Sequence, residues 1–364
     1  MNIPETMNAV VLKGHGDMDQ LEFRTDWPVP VPKPDEVLTK VGACGLNNTD
    51  VNTRSGWYSK SVTEATTGQN QAAQGQDDPS WGGAAIAFPR IQGADAVGKV
   101  VALGANADAS LIGKRVMIDT WLRDWSDPQN KNKTGYFGSE CDGGFAQYAV
   151  ADRRNVAVIN SPMSDAELAT FSCSYTTAEG MIARAAVVPD DVVLVTGASG
   201  GVGSAVIQLA KRRGATVVAL ASEAKHKDLR ALGADVTLPR APNSLQDALR
   251  DTLGRDTVSV VCDVVGGPGF AAVIEVLERG GRYACSGAIA GPVVDLDLRT
   301  LYLRDLTLHG STVVPQHIFT DLVGYIERGE IRSVLAATYP LAEIKAAQTA
   351  FIAKEHTGNI VVIP

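Results

Sequence analysis

The sequence predicts an α/β protein of two domains. One is a partly closed β-barrel or sandwich, and the other is a parallel sheet covered by helices on both faces. Three observations predict this. Short β-runs punctuated by glycine and proline fill the N-terminal part of the chain. From about residue 164 helical runs alternate with near-continuous Val/Ile/Leu strands, the texture of a sheet buried on both sides. The chain has 364 residues, more than one ordinary core accommodates.

Taken in order, 7–11, 36–41, 98–103 and 115–118 read as strands, separated by turn residues such as Gly14, Pro32, Pro34 and Gly113. Residues 145–150 add one more strand. Two stretches, 59–87 and 121–141, show neither helical nor strand period. Loops of that length are either functional lids or disordered. Trp57, Trp81, Trp121 and Trp125 lie in or beside them, and either anchor the loops onto the barrel or line a substrate cavity. Beyond them, 165–186 is a helical run, and 191–196 is an apolar strand leading through a glycine-rich turn into helix 202–213. Strand 216–221, helix 224–232, strand 259–264, helix 270–279 and strands 281–284 and 306–310 continue the alternation. The helical run 319–328 and the last strand, 358–362, return to the first domain.

Composition narrows the function classes. Hydrophobic residues make up 45% and charged residues 20%, as in ordinary globular proteins. With 33 basic against 41 acidic side chains the net charge is −8, and no dense Lys/Arg block offers the positive face a nucleic acid needs. No run of about 18 apolar residues suggests a membrane span, and no signal segment opens the chain. Five scattered cysteines, Cys44, Cys141, Cys173, Cys262 and Cys285, read as reduced thiols. A cytoplasmic enzyme acting on a small molecule is expected, with neither a nucleic-acid nor a membrane partner.

The strongest chemical signal is Asp191-Val-Val-Leu-Val-Thr-Gly-Ala-Ser-Gly-Gly-Val-Gly203. A buried strand delivers a glycine turn to a helix N-terminus, where free N–H groups and the positive dipole end favour a pyrophosphate. Ala198 stands where the usual fingerprint has its first glycine; Ser199, Gly200, Gly201, Val202 and Gly203 complete the turn. The strand context makes a dinucleotide site the expected reading over a merely tight turn. Cofactor choice follows from strand 216–221, which ends in Ser222, Glu223, Ala224, Lys225. Ser222 can donate to a 2′-phosphate and Lys225 can neutralise it. NADPH is therefore expected over NADH, with Glu223, one residue past the usual acid position, as the counter-argument.

The chain resembles the medium-chain dehydrogenase/reductase superfamily, in its zinc-free, quinone-oxidoreductase-like branch. The resemblance covers nearly the whole chain. It rests on Gly42-Ala-Cys-Gly-Leu-Asn-Asn-Thr-Asp50, Gly93-Ala-Asp-Ala-Val-Gly98, Asp142-Gly-Gly-Phe-Ala-Gln-Tyr148, Thr196-Gly-Ala-Ser-Gly-Gly-Val-Gly203, Leu232-Gly-Ala-Asp235 and Gly280-Gly-Arg-Tyr283. It implies a GroES-like barrel domain over 1–163 and 312–364, a Rossmann domain over 164–311, and an active site in the cleft between them. It also implies a homodimer formed through the edge strand 306–310 of the cofactor sheet. Zinc-dependent members carry a Cys, a His and a second Cys as ligands. Here Asn47 stands at the first position, Ala94 with Asp95 at the second, and only Cys173 remains at the third. Three protein ligands are needed for a catalytic zinc, and none of the five histidines falls near these motifs. No metal is expected.

Without a Lewis acid, the chemistry that suits the site is hydride transfer to a quinone or an α,β-unsaturated carbonyl or enoyl group, with hydrogen-bond donors for the developing oxygen charge. Candidate donors are Asn47, Thr49, Tyr58 and Tyr148. Asn47 takes the family's polar position, and Tyr58 resembles the tyrosine that follows the same motif in enoyl-thioester reductase relatives. Against these stand plain structural roles: Asn47 and Thr49 satisfying loop backbone, Tyr58 packing. By the same resemblance Gly287, Ala288 and Ile289 offer backbone groups to the nicotinamide carboxamide, and Thr177 meets the diphosphate or ribose. A zinc-free alcohol or carbonyl dehydrogenase using NADP, and a cofactor-binding protein with little catalysis, remain as alternatives.

Overall fold

The computed structural model describes residues 3–69, 71 and 85–364. Residues 1, 2, 70 and 72–84 lie outside the described residues, and with them Trp81 and about half of the expected loop 59–87. The chain divides into two compact units. One comprises Met1–Val62, Thr67–Cys173 and Pro315–Pro364; the other comprises Thr63–Thr66 and Ser174–Val314.

The first unit is built around strand Glu36–Gly45. It pairs antiparallel with Asp95–Leu103 along one edge. Along the other it pairs with Tyr148–Asp152 over its first half and with Asn359–Ile363 near its end. The C-terminal strand is thus threaded into the sheet of the N-terminal residues, with Leu335–Pro340 parallel beside it. A second sheet sets Thr6–Leu12 between Leu21–Pro28 and Arg90–Ile91. Leu12, Leu38, Ile118, Phe137 and Phe145 are fully buried in the core they share, each worth about 1.5–3 kcal/mol of burial.

The second unit is a six-stranded parallel sheet. Its spatial order is Val236–Pro239, Thr216–Ala221, Val192–Val195, Val258–Asp263, Leu277–Cys285 and Thr307–Gly310. Val192–Val195 and Val258–Asp263 are buried at every position, as strands covered by helices on both faces must be. Strand order reverses at Val192–Val195, which makes its carboxyl end the place where ligands bind in such sheets.

Several elements differ from expectation. The run 165–186 is two helices, Asp165–Leu168 and Ser172–Arg184, because the Thr170 hydroxyl bonds back to the Glu167 carbonyl at 2.7 Å and competes with the helical ladder. The boundary expected at 163/164 lies at Cys173/Ser174. The short first helix belongs to the barrel: Arg115 donates to Met163 O at 2.8 Å, and Thr170 meets Ser333 at 3.1 Å. At the far end the boundary is Val314/Pro315, three residues past the expected 311/312. Helix 270–279 stops at Glu275, since Gly280 takes φ +75° and the chain already enters strand Leu277–Cys285. Strands Leu21–Pro28 and Leu335–Pro340 were not legible in the sequence; their exposed faces carry too few apolar residues for a clear alternation. No helix among the described residues is long and apolar enough to cross a membrane.

Candidate active site

The glycine turn follows from local backbone demands. Gly197 adopts φ +56° as the chain leaves its strand, a conformation L-residues rarely take. Gly200 caps helix Gly201–Arg212 in extended backbone. A Cβ on Gly203 would stand 2.3 Å from the Gly197 carbonyl oxygen, so glycine alone lets the helix start this close to the turn. Ala198 is fully buried, which explains why alanine is accepted at the first fingerprint position: its methyl group packs inward. Ser199, Gly201 and Val202 are half-buried and Gly200 is exposed. The turn therefore leaves accessible N–H groups at the start of a twelve-residue helix, as a pyrophosphate requires.

At the end of the neighbouring strand, Ser222 caps the short turn Glu223–Lys225. Lys225 is only 8% exposed, and its ammonium donates to the Ser199 hydroxyl at 3.4 Å. Glu223 is exposed. The strand end thus aims a cation at the glycine turn and leaves its carboxylate in solvent.

Asp263, 1% exposed, ties the strand ends together. It accepts from the Thr196 hydroxyl, from Tyr283 OH at 2.7 Å, and from the N–H groups of Val265 and Gly266 at 2.8 and 3.2 Å. Burial pushes the Tyr283 phenol far above its ordinary range, so it stays a donor. The segment holding Gly287, Ala288 and Ile289 lies against this corner. Ile289 and Ala290 donate to Val264 O and Val265 O at 3.4 and 2.8 Å, and Thr66 N–H donates to Ile289 O at 2.9 Å. Thr177 is half-buried on helix Ser172–Arg184.

In the first unit, Asn47 caps helix Asn48–Ser55. Its N–H donates to Asp50 Oδ2 at 2.8 Å, the reciprocal contact of a capping box. Its side-chain Nδ2 donates to Asp95 Oδ2 at 2.9 Å, and the other Asp95 oxygen accepts the Cys173 N–H at 2.5 Å. Asp50 Oδ1 accepts from Gly93 N at 3.2 Å. Tyr136 OH donates to Cys173 Sγ at 3.0 Å. Asp50 and Asp95 are 4% and 0% exposed, and burial pushes both carboxyls up to about 7. Among the described residues no cation pairs with either. Burial likewise raises the Tyr136 phenol and the Cys44 thiol well above their usual ranges.

The expected donors separate. Thr49, on the first turn of the helix capped by Asn47, has a buried hydroxyl with no hydrogen-bond partner among the described residues. Tyr58, half-buried just past that helix, stacks edge-on against Trp57 with centroids 5.7 Å apart. Tyr148 is 7% exposed in the barrel core and pairs with Lys40. Lys40 is five positions before the strand end at Gly45, roughly 16 Å along the strand, so Tyr148 is not brought to Asn47. Trp121 packs edge-on against Tyr136 at 5.0 Å, and the Arg154 guanidinium lies 4.7 Å from the Trp125 ring centroid. Both tryptophans anchor their loop. Sequence reasoning missed Asp50, Tyr136 and Asp263 as site residues. Asp50 ends a quoted motif, so it was findable; nothing in a polar loop marks Tyr136 as the residue that reaches Cys173.

Comparisons with known proteins agree with the fold of both units. Residues 33–161 match the alcohol dehydrogenase GroES-like domain family model and residues 201–328 the zinc-binding dehydrogenase model. The human quinone oxidoreductase is 25% identical over 366 residues, spanning 98% of each chain. The chloroplastic NADPH-dependent alkenal/one oxidoreductase of Arabidopsis thaliana is 28% identical over all of this chain and 81% of its own. A solved structure from Sinorhizobium meliloti, provisionally described as an alcohol dehydrogenase, is 44% identical with a TM-score of 0.91, covering 100% of this chain and 98% of that one. The residues do not fit the zinc in the second model's description. The first ligand position is an amide already donating to Asp95, and among the described residues no three His, Cys, Asp or Glu side chains are placed to hold a metal ion.

Proposed function

The chain belongs to the medium-chain dehydrogenase/reductase superfamily, in its quinone-oxidoreductase-like branch, and is an oxidoreductase; from that premise we propose that it is a zinc-independent, NADPH-dependent reductase of quinones or of α,β-unsaturated carbonyl or enoyl compounds. The observation that carries the reading is the Asn47–Asp95 hydrogen bond. It puts a carboxamide donor where zinc-dependent members hold a metal ligand, so substrate activation falls to hydrogen bonding. A bound nicotinamide supplies the hydride. Gly200, Gly201 and the helix start would hold its pyrophosphate, and Lys225 with Ser222 its 2′-phosphate. Asn47 and Thr49 orient the substrate oxygen and stabilise charge developing there.

NADPH is favoured because Lys225 is buried and directed at Ser199 while Glu223 faces solvent. The Arabidopsis relative is itself named NADPH-dependent. We further propose that the protein is cytoplasmic and forms a homodimer through the strand Thr307–Gly310, whose positions are mostly exposed.

The test is oxidation of NADPH and NADH against quinones, enones, enoyl thioesters and aldehydes with a chelator present. Chelator-resistant turnover of a quinone or enone, faster with NADPH, is the expected outcome. Turnover confined to alcohols and aldehydes would favour a zinc-free alcohol dehydrogenase instead, the Sinorhizobium relative being described as an alcohol dehydrogenase. Loss of activity on chelation would overturn the reading of Asn47.

A further inference from the structure

We propose that Asp95 is a positioning residue: it fixes the face that the Asn47 carboxamide presents to substrate, and does so without touching substrate itself. The inference rests on the functional reading above, in which Asn47 donates to the substrate oxygen.

A carboxamide has two edges of nearly equal shape, one a double donor and one an acceptor. Left alone beside a helix N-terminus, it can rotate about its terminal torsion and offer either. Asp95 removes the choice. Its Oδ2 accepts from Asn47 Nδ2 at 2.9 Å, and in its charged form Asp95 can face only the donor edge of the amide. Asp95 cannot swing away, because its other oxygen is held by Cys173 N–H at 2.5 Å. It is fully buried. Behind it, Gly45 has no side chain: a Cβ there would stand 3.1 Å from Asp95 Cβ and 2.3 Å from Ala169 O. The backbone of Asn47 is held separately, by Asp50, which Gly93 N–H anchors in turn. One carboxylate sets where the residue sits and the other sets which way its amide points. Among the described residues, that leaves the second Nδ2 hydrogen as the donor of the pair open to a ligand.

The groups that face Asp95 from the surrounding elements are Asn47, Asp50, Cys44, Cys173 and Tyr136. None is a base. The orientation therefore does not come from an ion pair that some other residue could replace.

The test uses D95N, N47D and the double variant N47D/D95N, with kcat, KM for the enone or quinone, NADPH affinity and Tm measured for each. In D95N the new amide keeps an acceptor for Cys173 N–H but turns donor against donor at Asn47, so the Asn47 amide flips and presents its oxygen. The expected result is a fall in kcat on the order of 100-fold, the scale of a misplaced catalytic group, with NADPH affinity within two-fold of the parent. The double variant restores a donor–acceptor match between positions 47 and 95, with the polarity reversed. Its Tm should return towards that of the parent while kcat stays low, since position 47 now carries only acceptors. If kcat recovers together with Tm, the role is merely structural and the inference is overturned; a D95N enzyme with parental kcat overturns it equally. If D95N does not fold, the double variant and N47D still decide the matter by the same split between Tm and kcat. Failure of the underlying reading looks different: the unsubstituted protein would turn over none of the quinones or enones.

Discussion

Lys225 carries an ammonium group into a position that is 8% exposed and donates it to Ser199, in the turn proposed to hold a pyrophosphate. Taking a charge out of water is tolerated when partners meet it, and a 2′-phosphate at this strand end would supply a strong one. Hydrogen bonds to charged groups are worth about 1.5–3 kcal/mol, which is about 10- to 100-fold in affinity. Ser222→Ala with Lys225→Ala should therefore weaken NADPH by that factor and leave NADH nearly unchanged, as read by nucleotide fluorescence titration. Equal losses for both cofactors would contradict the assignment. At the same scale, Asp50 and Asp95 show why a short motif is not a mechanism. Both were visible as letters, yet the burial that pushes them up to about 7, and the N–H groups of Gly93 and Cys173 that partly oppose it, come from segments far away in the chain.

Among the elements, the strand–turn–helix around Gly197–Gly203 was the most legible, because its requirements are local. Gly203 has no room for a side chain, with the Gly197 oxygen 2.3 Å from where a Cβ would sit, whereas a Cβ on Gly200 would meet that oxygen at 3.5 Å. Gly203→Ala should cost about 1–3 kcal/mol of stability through overpacking. In a chain of this size that is about 2–4 °C of Tm for each kcal/mol. It should also abolish measurable dinucleotide binding, because the helix start must retreat from the turn. Gly200→Ala should leave Tm nearly unchanged. A thermal melt of both variants decides it, and a Gly203→Ala protein with parental Tm would refute the close approach. The hidden elements failed for an equally physical reason. Strand Leu335–Pro340 alternates half-buried with exposed residues and exists because Asn359–Ile363 pairs with it, an edge that no local pattern announces.

For the molecule as a whole, the open edge of the six-stranded sheet matters most. Strand Thr307–Gly310 pairs on one side only among the described residues, and such an edge is a template for another strand. Leu308 on it is 37% exposed, and the helix just before it leaves Leu298, Tyr302 and Leu303 at 64%, 62% and 57%. Exposed apolar side chains so close to an open edge are typical of an interface. Light scattering should report twice the chain mass for the parent, and Leu308→Glu should shift the protein to monomer. A parent that is monomeric at micromolar concentration would rule out the homodimer.

The sequence by itself determined the class of both units and the glycine turn between strand and helix, because each depends on residues adjacent in the chain. Only the tertiary structure decided that the C-terminal strand completes the N-terminal sheet and that the boundary lies at Cys173. It alone paired Asn47 with Asp95, 48 positions apart, and carried Tyr136 to Cys173. The difference is one of range: turn and strand propensities act within a few residues, while a buried carboxylate acquires its partners, and hence its chemistry, only when distant segments close around it.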